Sequence, residues 1–175
     1  MIGYLARALP EWSEQRGLDQ GLLERGYFEG KNILIERRYT LAFDDELSAL
    51  AVNLVRGNPD VIVTFGTPST QAVQKATRTI PIVFAPAGDP VGTGLVTSLA
   101  RPGGNATGVS VLSTELNTKR LDLFKQLAPS LRRATYLGAL SNPVTSSALR
   151  SMHAAAESMQ ISLDEIGRAS CRERV

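Results

Sequence analysis

An α/β protein built on a doubly wound parallel sheet is predicted for this 175-residue chain on three grounds. Apolar strand-like runs alternate with helical patterns roughly every 20 to 30 residues, the rhythm of strand–helix–strand units. Val61-Ile62-Val63 and Ile82-Val83-Phe84 are continuously apolar, as suits parallel strands covered on both faces. Strand-like runs also lead into a small polar residue, a proline and a helical pattern at Thr67-Pro68, Asp89-Pro90 and Asn142-Pro143. Thr, Asp and Asn accept from the first N–H groups of a helix, and proline at the first helical position lacks an N–H that would be unpaired there. Such junctions gather at one edge of a parallel sheet, and ligands bind in the crevice outside it. The helix starts bring free N–H groups and partial positive charge, suited to a carboxylate or phosphate.

Ile2 to Leu5 reads as the first strand, followed by a loop through Pro10 and a helix from about Trp12 to Arg25. Leu18, Leu22 and Leu23 form its apolar face and Gly26 stops it. Ile33-Leu34-Ile35 opens a second strand toward Tyr39. Asp44 then starts a helix with Leu47, Leu50, Ala51, Leu54 and Val55 on one face, ending before Gly57. Val61 to Val63 is a strand and Pro68 to Ala76 its helix. Ile82 to Phe84 repeats the pattern, with Leu95, Val96 and Leu99 on a helix after Asp89-Pro90 that Arg101-Pro102-Gly103-Gly104 halts. Val109 to Leu112 is a strand. Leu116, Arg120, Leu123, Phe124 and Leu127 outline a helix ended by Pro129. Thr135 to Leu140 is a strand, and Pro143 to about Met159 a helix with Val144, Ala148, Met152 and Met159 inward. Ile161-Ser162-Leu163 begins one more strand.

Composition narrows the partners. Hydrophobic residues make up 43% and charged residues 21%, with 19 basic and 17 acidic side chains giving a net charge of +2, so a core is available. The basic residues are scattered until the last few positions and form no phosphate-tracking stripe, which argues against nucleic acid. Runs such as Ile80 to Ala87 are far short of a membrane span, and Met1 to Leu5 lacks the charged start and long apolar stretch of an export signal. Taken literally, the chain reads as soluble and unexported. A single cysteine, Cys171, allows neither an internal disulfide nor a thiolate metal site.

Residues 166–175, IGRASCRERV, change character: three arginines and the cysteine fall in a stretch without helical or strand periodicity. The string matches one reading frame of a short-read sequencing adaptor. Native residues are therefore expected to stop near Glu165, with a non-native tail beyond.

The chain carries few marks of catalysis. Gly92-Thr93-Gly94 lacks the third glycine of a dinucleotide fingerprint, and Gly103-Gly104 lacks the Lys-Ser/Thr of a phosphate loop. The one histidine, His153, falls on a helix away from the strand ends, where a solvated role outweighs a general base. There is no histidine cluster for zinc and no G-x-S-x-G elbow. Asp44, Asp45 and Glu46 complement a helix dipole. Binding without chemistry, no cofactor and no metal are the expectation.

The segments DVIVTFGTPSTQA (residues 60–72), IPIVFAPAGDPVGTGLV (80–96) and SLARPGGNATGVS (98–110) resemble the substrate-binding proteins of a bacterial ABC-importer family, some members of which take aromatic amino acids. GLLERGYFEGKNILIERRY (21–39) and TKRLDLFKQLAPSLRRATYL (118–137) extend the likeness over nearly all of residues 1–165. The resemblance implies a type I periplasmic-binding fold, two α/β lobes closing over a ligand. Residues 1–111 would form the N-terminal lobe and 112–165 part of the second, in a protein of about twice this length. It implies that Thr67, Pro68, Ser69 and Thr70 hold a ligand carboxylate, that Asp89 faces the cleft and pairs with an amino group, and that Ser141 and Asn142 are the second lobe's contribution. A zwitterionic amino acid fits that set.

The first loop, Arg7-Ala8-Leu9-Pro10-Glu11-Trp12, departs from the serine- or threonine-rich stretch of the family. Trp12 there reads as a packed helix residue before a stacking wall. A membrane permease is the implied partner, and the implied location is the periplasm or a membrane-anchored lipoprotein, which predicts an upstream export segment. A cleft built from two lobes also predicts weak binding by these residues alone. The alternative functions are the effector-sensing core of a transcription regulator of the same fold, which needs an upstream DNA-binding domain, and a small α/β enzyme.

Overall fold

The computed structural model describes residues 1–8, 13–41 and 45–167. Among the described residues the chain forms seven strands and five helices: β1 Ile2–Ala6, α1 Ser13–Leu23, β2 Ile35–Tyr39, α2 Asp45–Arg56, β3 Val61–Phe65, α3 Thr67–Ala76, β4 Ile82–Ala87, β5 Ala106–Ser110, α4 Ser113–Leu127, β6 Arg133–Gly138, α5 Pro143–Ser158 and β7 Ser162–Gly167. Trp12, Asp44 and residues 168–175 of the terminal segment lie outside the described residues. Strand β7 runs two residues into the segment set apart on composition.

Two sheets form, both parallel. The first has the order β2-β1-β3-β4-β5, and the second pairs β6 with β7. Alternation along the strands divides the first sheet's side chains between two layers. Leu5, Ile62, Ile82 and Phe84 meet Leu47, Ala51 and Leu54 of α2 and Ala72 and Val73 of α3. On the other face Tyr4, Ala6 and Ile35 pack with Leu18 and Leu22 of α1. Helices on both faces make the sheet doubly wound, as the strand–helix rhythm predicts. Gly3 lets α2 pack close on the center of β1, since a Cβ there would lie 3.1 Å from the Leu54 side chain, a tight contact that Leu54 would have to yield to. A separate apolar cluster joins Leu121 of α4, Ala156 and Met152 of α5, Ile161, and Ala134 and Leu163 of β6 and β7.

Two expectations are corrected. No α-helix follows Asp89-Pro90; residues 90–94 form a single turn. Gly94 takes φ 74°, the Leu95 N–H reaches the Pro90 carbonyl (2.8 Å), and the Gly94 N–H reaches the Val91 carbonyl (3.0 Å). This left-handed stop closes the turn before a helix can extend. Leu95 and Val96 still enter the core, whereas Leu99 is exposed. In α4 the apolar pattern also misleads: Leu116, Leu123, Phe124 and Leu127 are exposed, and Leu121 is the buried apolar residue. Helix α4 meets α5 through Leu121, and no described element covers its remaining apolar face.

Candidate functional site

The strand order reverses direction at β1 and β3, the switch point where a crevice opens beyond the C-terminal strand ends. There Ala6 pairs with Phe65, so Arg7 and Gly66 leave the sheet side by side. Gly66 rather than Thr67 occupies the N-cap of α3, with φ 81° and ψ 159°. That positive φ turns the chain from β3 into α3 one residue earlier than Thr67-Pro68 predicts, so no side chain caps the helix. Thr67 is freed for another contact: its hydroxyl accepts from the Gly88 N–H at 3.2 Å, joining α3 to the end of β4. It keeps its own proton to donate.

Thr67, Ser69 and Thr70 are all buried. Thr70 donates to the Gly66 carbonyl (2.8 Å), so in its contact with the Thr64 hydroxyl (2.9 Å) Thr64 must be the donor. Ser69 differs. Its Oγ is sealed from solvent and has no hydrogen-bond partner, a costly state for a hydroxyl unless something else satisfies it. It sits in the first turn of α3, where helix geometry leaves backbone N–H groups unpaired.

Asp89 is the cap its sequence predicts, though of a single turn: its Oδ1 accepts from the Gly92 N–H at 2.8 Å. Its Oδ2 is held by the hydroxyls of Ser147 in α5 and Thr114 at the start of α4, the latter at 3.0 Å. Partial burial pushes this carboxyl's pKa up, but the bonds from Ser147, Gly92 and Thr114 and the charge of Arg150 outweigh it, and the net direction is down. Gly92 is needed for this geometry, since a Cβ there would fall 2.1 Å from Asp89 Oδ2. Gly88 likewise admits a close approach, as a Cβ would lie 2.9 Å from Ser113 Oγ and 3.0 Å from Val144. Sequence reasoning missed Ser147 and Thr114. The signal for Ser147 was a polar residue on the inward face of α5, one turn after Val144 and beside Ala148.

Asn142 behaves as predicted, capping α5 by accepting from the Val144 N–H at 3.1 Å with Pro143 in the first turn. Its amide N–H groups remain available to a ligand. Exposed Ser141 precedes it. Pro68, Gln71, Ala72 and Lys75 of α3 line, with Ser141 and Pro143, a cavity of about 70 Å³. Leu47 and Ser48 of α2 complete it, so the space runs along the side of α3 with the start of α5 at one end and has room for a few waters; of the predicted site residues Pro68 and Ser141 line it, and Thr67, Ser69, Thr70, Asp89 and Asn142 do not. A wider depression of about 650 Å³ lies at the opposite edge, where Ile2, Ile33 and Val61 begin or precede their strands. It has no helix start to meet an anion, and the strand-end crevice is the better candidate. Arg7 adds a cation at that crevice, donating to the Leu41 carbonyl at 3.3 Å, with its pKa lowered by burial.

A doubly wound parallel sheet of this strand order, followed by a second parallel strand–helix body, is an α/β fold of the periplasmic-binding type. The chain belongs to the family of ABC transporter substrate binding proteins, whose model matches residues 11–173. It is 37% identical over 120 residues to a tyrosine-binding protein of Clostridioides difficile, an alignment covering 68% of this chain and 34% of that one. It is 27% identical to a protein from Streptococcus pneumonia solved in complex with L-Trp, with a TM-score of 0.83 over 99% of this chain and 58% of that one. It is also 27% identical to a substrate binding protein with adhesive properties from Clostridium difficile in its ligand-free, open structure, with a TM-score of 0.62 over 98% of this chain and 58% of that one. The chain thus spans about a third to three-fifths of the length of these relatives. Among the described residues no helix is long and apolar enough to cross a membrane.

Proposed function

We propose that this chain is solute-binding sequence of a bacterial ABC importer, holding a small polar ligand, an amino acid or close relative, without transforming it. The observation that carries this reading is the buried, partnerless Ser69 hydroxyl in the first turn of α3, the helix against which α5 of the second body packs. Residues 1–111 act as one lobe and 112–165 as part of a second, and their separate apolar clusters support that division. Ser69 and Thr67 donate to the ligand carboxylate at the helix start, Pro68 and Thr70 shape that turn, and Ser141 and Asn142 close on it from the second lobe. Asp89 fixes the floor between them, leaving one lone-pair direction for an ammonium group.

Aromatic amino acids are the ligand class, supported by the tyrosine and L-Trp of the relatives. The permease of the importer is the macromolecular partner. The working location is the periplasm or a lipid-anchored outer surface. Family membership favours this reading over the effector core of a transcription regulator.

Titration calorimetry with L-tryptophan and L-tyrosine tests it, using the chain and its Ser69→Ala variant. A buried hydroxyl that lacks a partner costs stability when no ligand is bound. Ser69→Ala should therefore leave the unliganded fold as stable or raise it by up to about 1 kcal/mol, while weakening binding about tenfold. Because part of a two-lobed cleft binds weakly, the titration runs to millimolar ligand, and absence of binding of either amino acid there overturns the ligand class. Binding that is indifferent to Ser69→Ala overturns the site.

A further inference from the structure

The chain passes from the first sheet to the β6–β7 body through residues 111–112, between β5 and α4. That crossing is short and strained: Leu112 stands at φ 48° and ψ 42°, a left-handed conformation costly for a branched side chain. Beside the crossing, the end of β4 is tied to α4. The Gly88 carbonyl accepts from both the Ser113 N–H (2.9 Å) and the Ser113 hydroxyl (2.7 Å), and the Ala87 carbonyl accepts from the Val111 N–H (3.0 Å). These bonds lie within a few residues of the crossing and would hold in any arrangement of the two bodies. Ser147 is different, because it lies a full turn into α5, 58 residues beyond Asp89 in sequence.

We infer that Asp89 is a latch between the two bodies: its carboxylate, fixed on the first by the Gly92 N–H, is gripped from the second by the Ser147 hydroxyl of α5, with Thr114 of α4 steadying the same oxygen. The Ser147 hydroxyl on this carboxylate oxygen is a directional contact, made at one relative placement of the bodies and lost when α5 swings away, whereas Thr114, beside the crossing, keeps the oxygen in place for it. The space for it is built in, since Gly92 leaves room for Oδ2 and Gly88 lets Val144 of α5 approach the loop. The whole chain superposes better on the L-Trp-bound neighbour, with a TM-score of 0.83, than on the ligand-free, open one, with 0.62. The latch rests on the proposed function only in taking the two bodies as movable lobes. It assigns Ser147 and Thr114 as positioning residues that act through Asp89.

Pulsed electron spin resonance tests this without any ligand. Spin labels are placed at Asn53→Cys on α2 and Glu157→Cys on α5, both at exposed positions, in a Cys171→Ser background. The parent should give one narrow distance distribution, and Ser147→Ala/Thr114→Val should broaden it and move it to longer distances. Gly92→Ala is the second variant: its Cβ would fall 2.1 Å from Asp89 Oδ2 and 2.8 Å from Ser147 Oγ, so it breaks the same contact from the loop side and should act the same way should the double variant fail to fold. An unchanged distribution in a folded latch variant overturns the proposal. Adding L-tryptophan separates the two readings. Narrowing of the distribution in the latch variants supports solute-driven closure, whereas no response to L-tryptophan counts against the ligand class and leaves the latch standing on the unliganded result.

Discussion

Thr70 and Ser69 are neighbours in one helical turn, both sealed from solvent, yet only Thr70 has its hydroxyl fully used. Replacing Thr70 by Val keeps the shape, takes the acceptor from the Thr64 hydroxyl and removes one of two donors from the Gly66 carbonyl, which keeps the Thr70 N–H at 3.2 Å. Urea unfolding should show a loss of about 1–3 kcal/mol that Thr70→Ser largely restores. Leu112 invites the opposite change: at φ 48° and half exposed, it gives up little packing, so Leu112→Gly should add about 1 kcal/mol in the same assay. Asp89 makes stability depend on acid. Its pKa is depressed in the fold, against burial, by the bonds from Ser147, Gly92 and Thr114 and by Arg150. Its contribution is therefore complete above the unfolded carboxylate value and lost as pH falls through the lower folded one. Unfolding curves from pH 7 down to pH 2 should flatten over that acid range in Asp89→Asn. Sequence alone made Asn142 legible as a cap, because proline and a polar side chain meet there without competition. Thr67 carries the same pattern, but the positive φ of Gly66 takes the cap first, and nothing in a T-P pair reports the backbone of the residue before it.

Elements were legible where periodicity and burial agree. Helix α2 shows Leu47, Ala51 and Leu54 at helical spacing, and all three are buried against the sheet. Helix α4 has a comparable apolar pattern, yet Leu123, Phe124 and Leu127 face outward. A pattern reports which face wants cover, and only the tertiary structure shows what covers it. The two helices should answer truncation differently: Leu54→Ala should cost about 2–5 kcal/mol, whereas Leu123→Ala should stay within about 0.5 kcal/mol. Chemical unfolding of both variants measures the contrast, and equal losses would show α4's outer face to be packed. The turn after β4 was the other miss. Its Asp-Pro start was read correctly, but Gly94 in the left-handed region stops the helix after one turn, a rule that competes with the apolar spacing of Leu95, Val96 and Leu99. The crevice was legible from topology, while the Asp89–Ser147–Thr114 cluster was not, because its members meet only after two separate strand–helix units have been placed.

At the scale of the molecule, two bodies of unequal quality share one chain. In the first sheet β1, β3 and β4 are each flanked by strands on both sides, and Leu5, Ile62 and Ile82 are completely buried under α2 and α3. Opening those strands exposes the whole α2–α3 cluster, so their exchange should require nearly global unfolding. The β6–β7 sheet has two strands, and Leu137 and Ile166 on it are 68% and 55% exposed. A parallel pair with one covered face is marginal without further strands or packing. Its cover comes from α4 and α5, which are joined to the first sheet through the crossing at 111–112 and the Asp89 contacts. Hydrogen exchange read by mass spectrometry should therefore resolve two classes of amide. Those of β1, β3 and β4 should exchange slowest, those of β6, β7 and α5 faster by a factor of about 100 or more, an opening roughly 3 kcal/mol cheaper. Ser147→Ala should accelerate only the second class, because it loosens the tie between the bodies and leaves the first core intact. Uniform protection, or acceleration spread evenly over both sheets, would mean that the chain opens as one cooperative unit and that Asp89 joins parts which never separate.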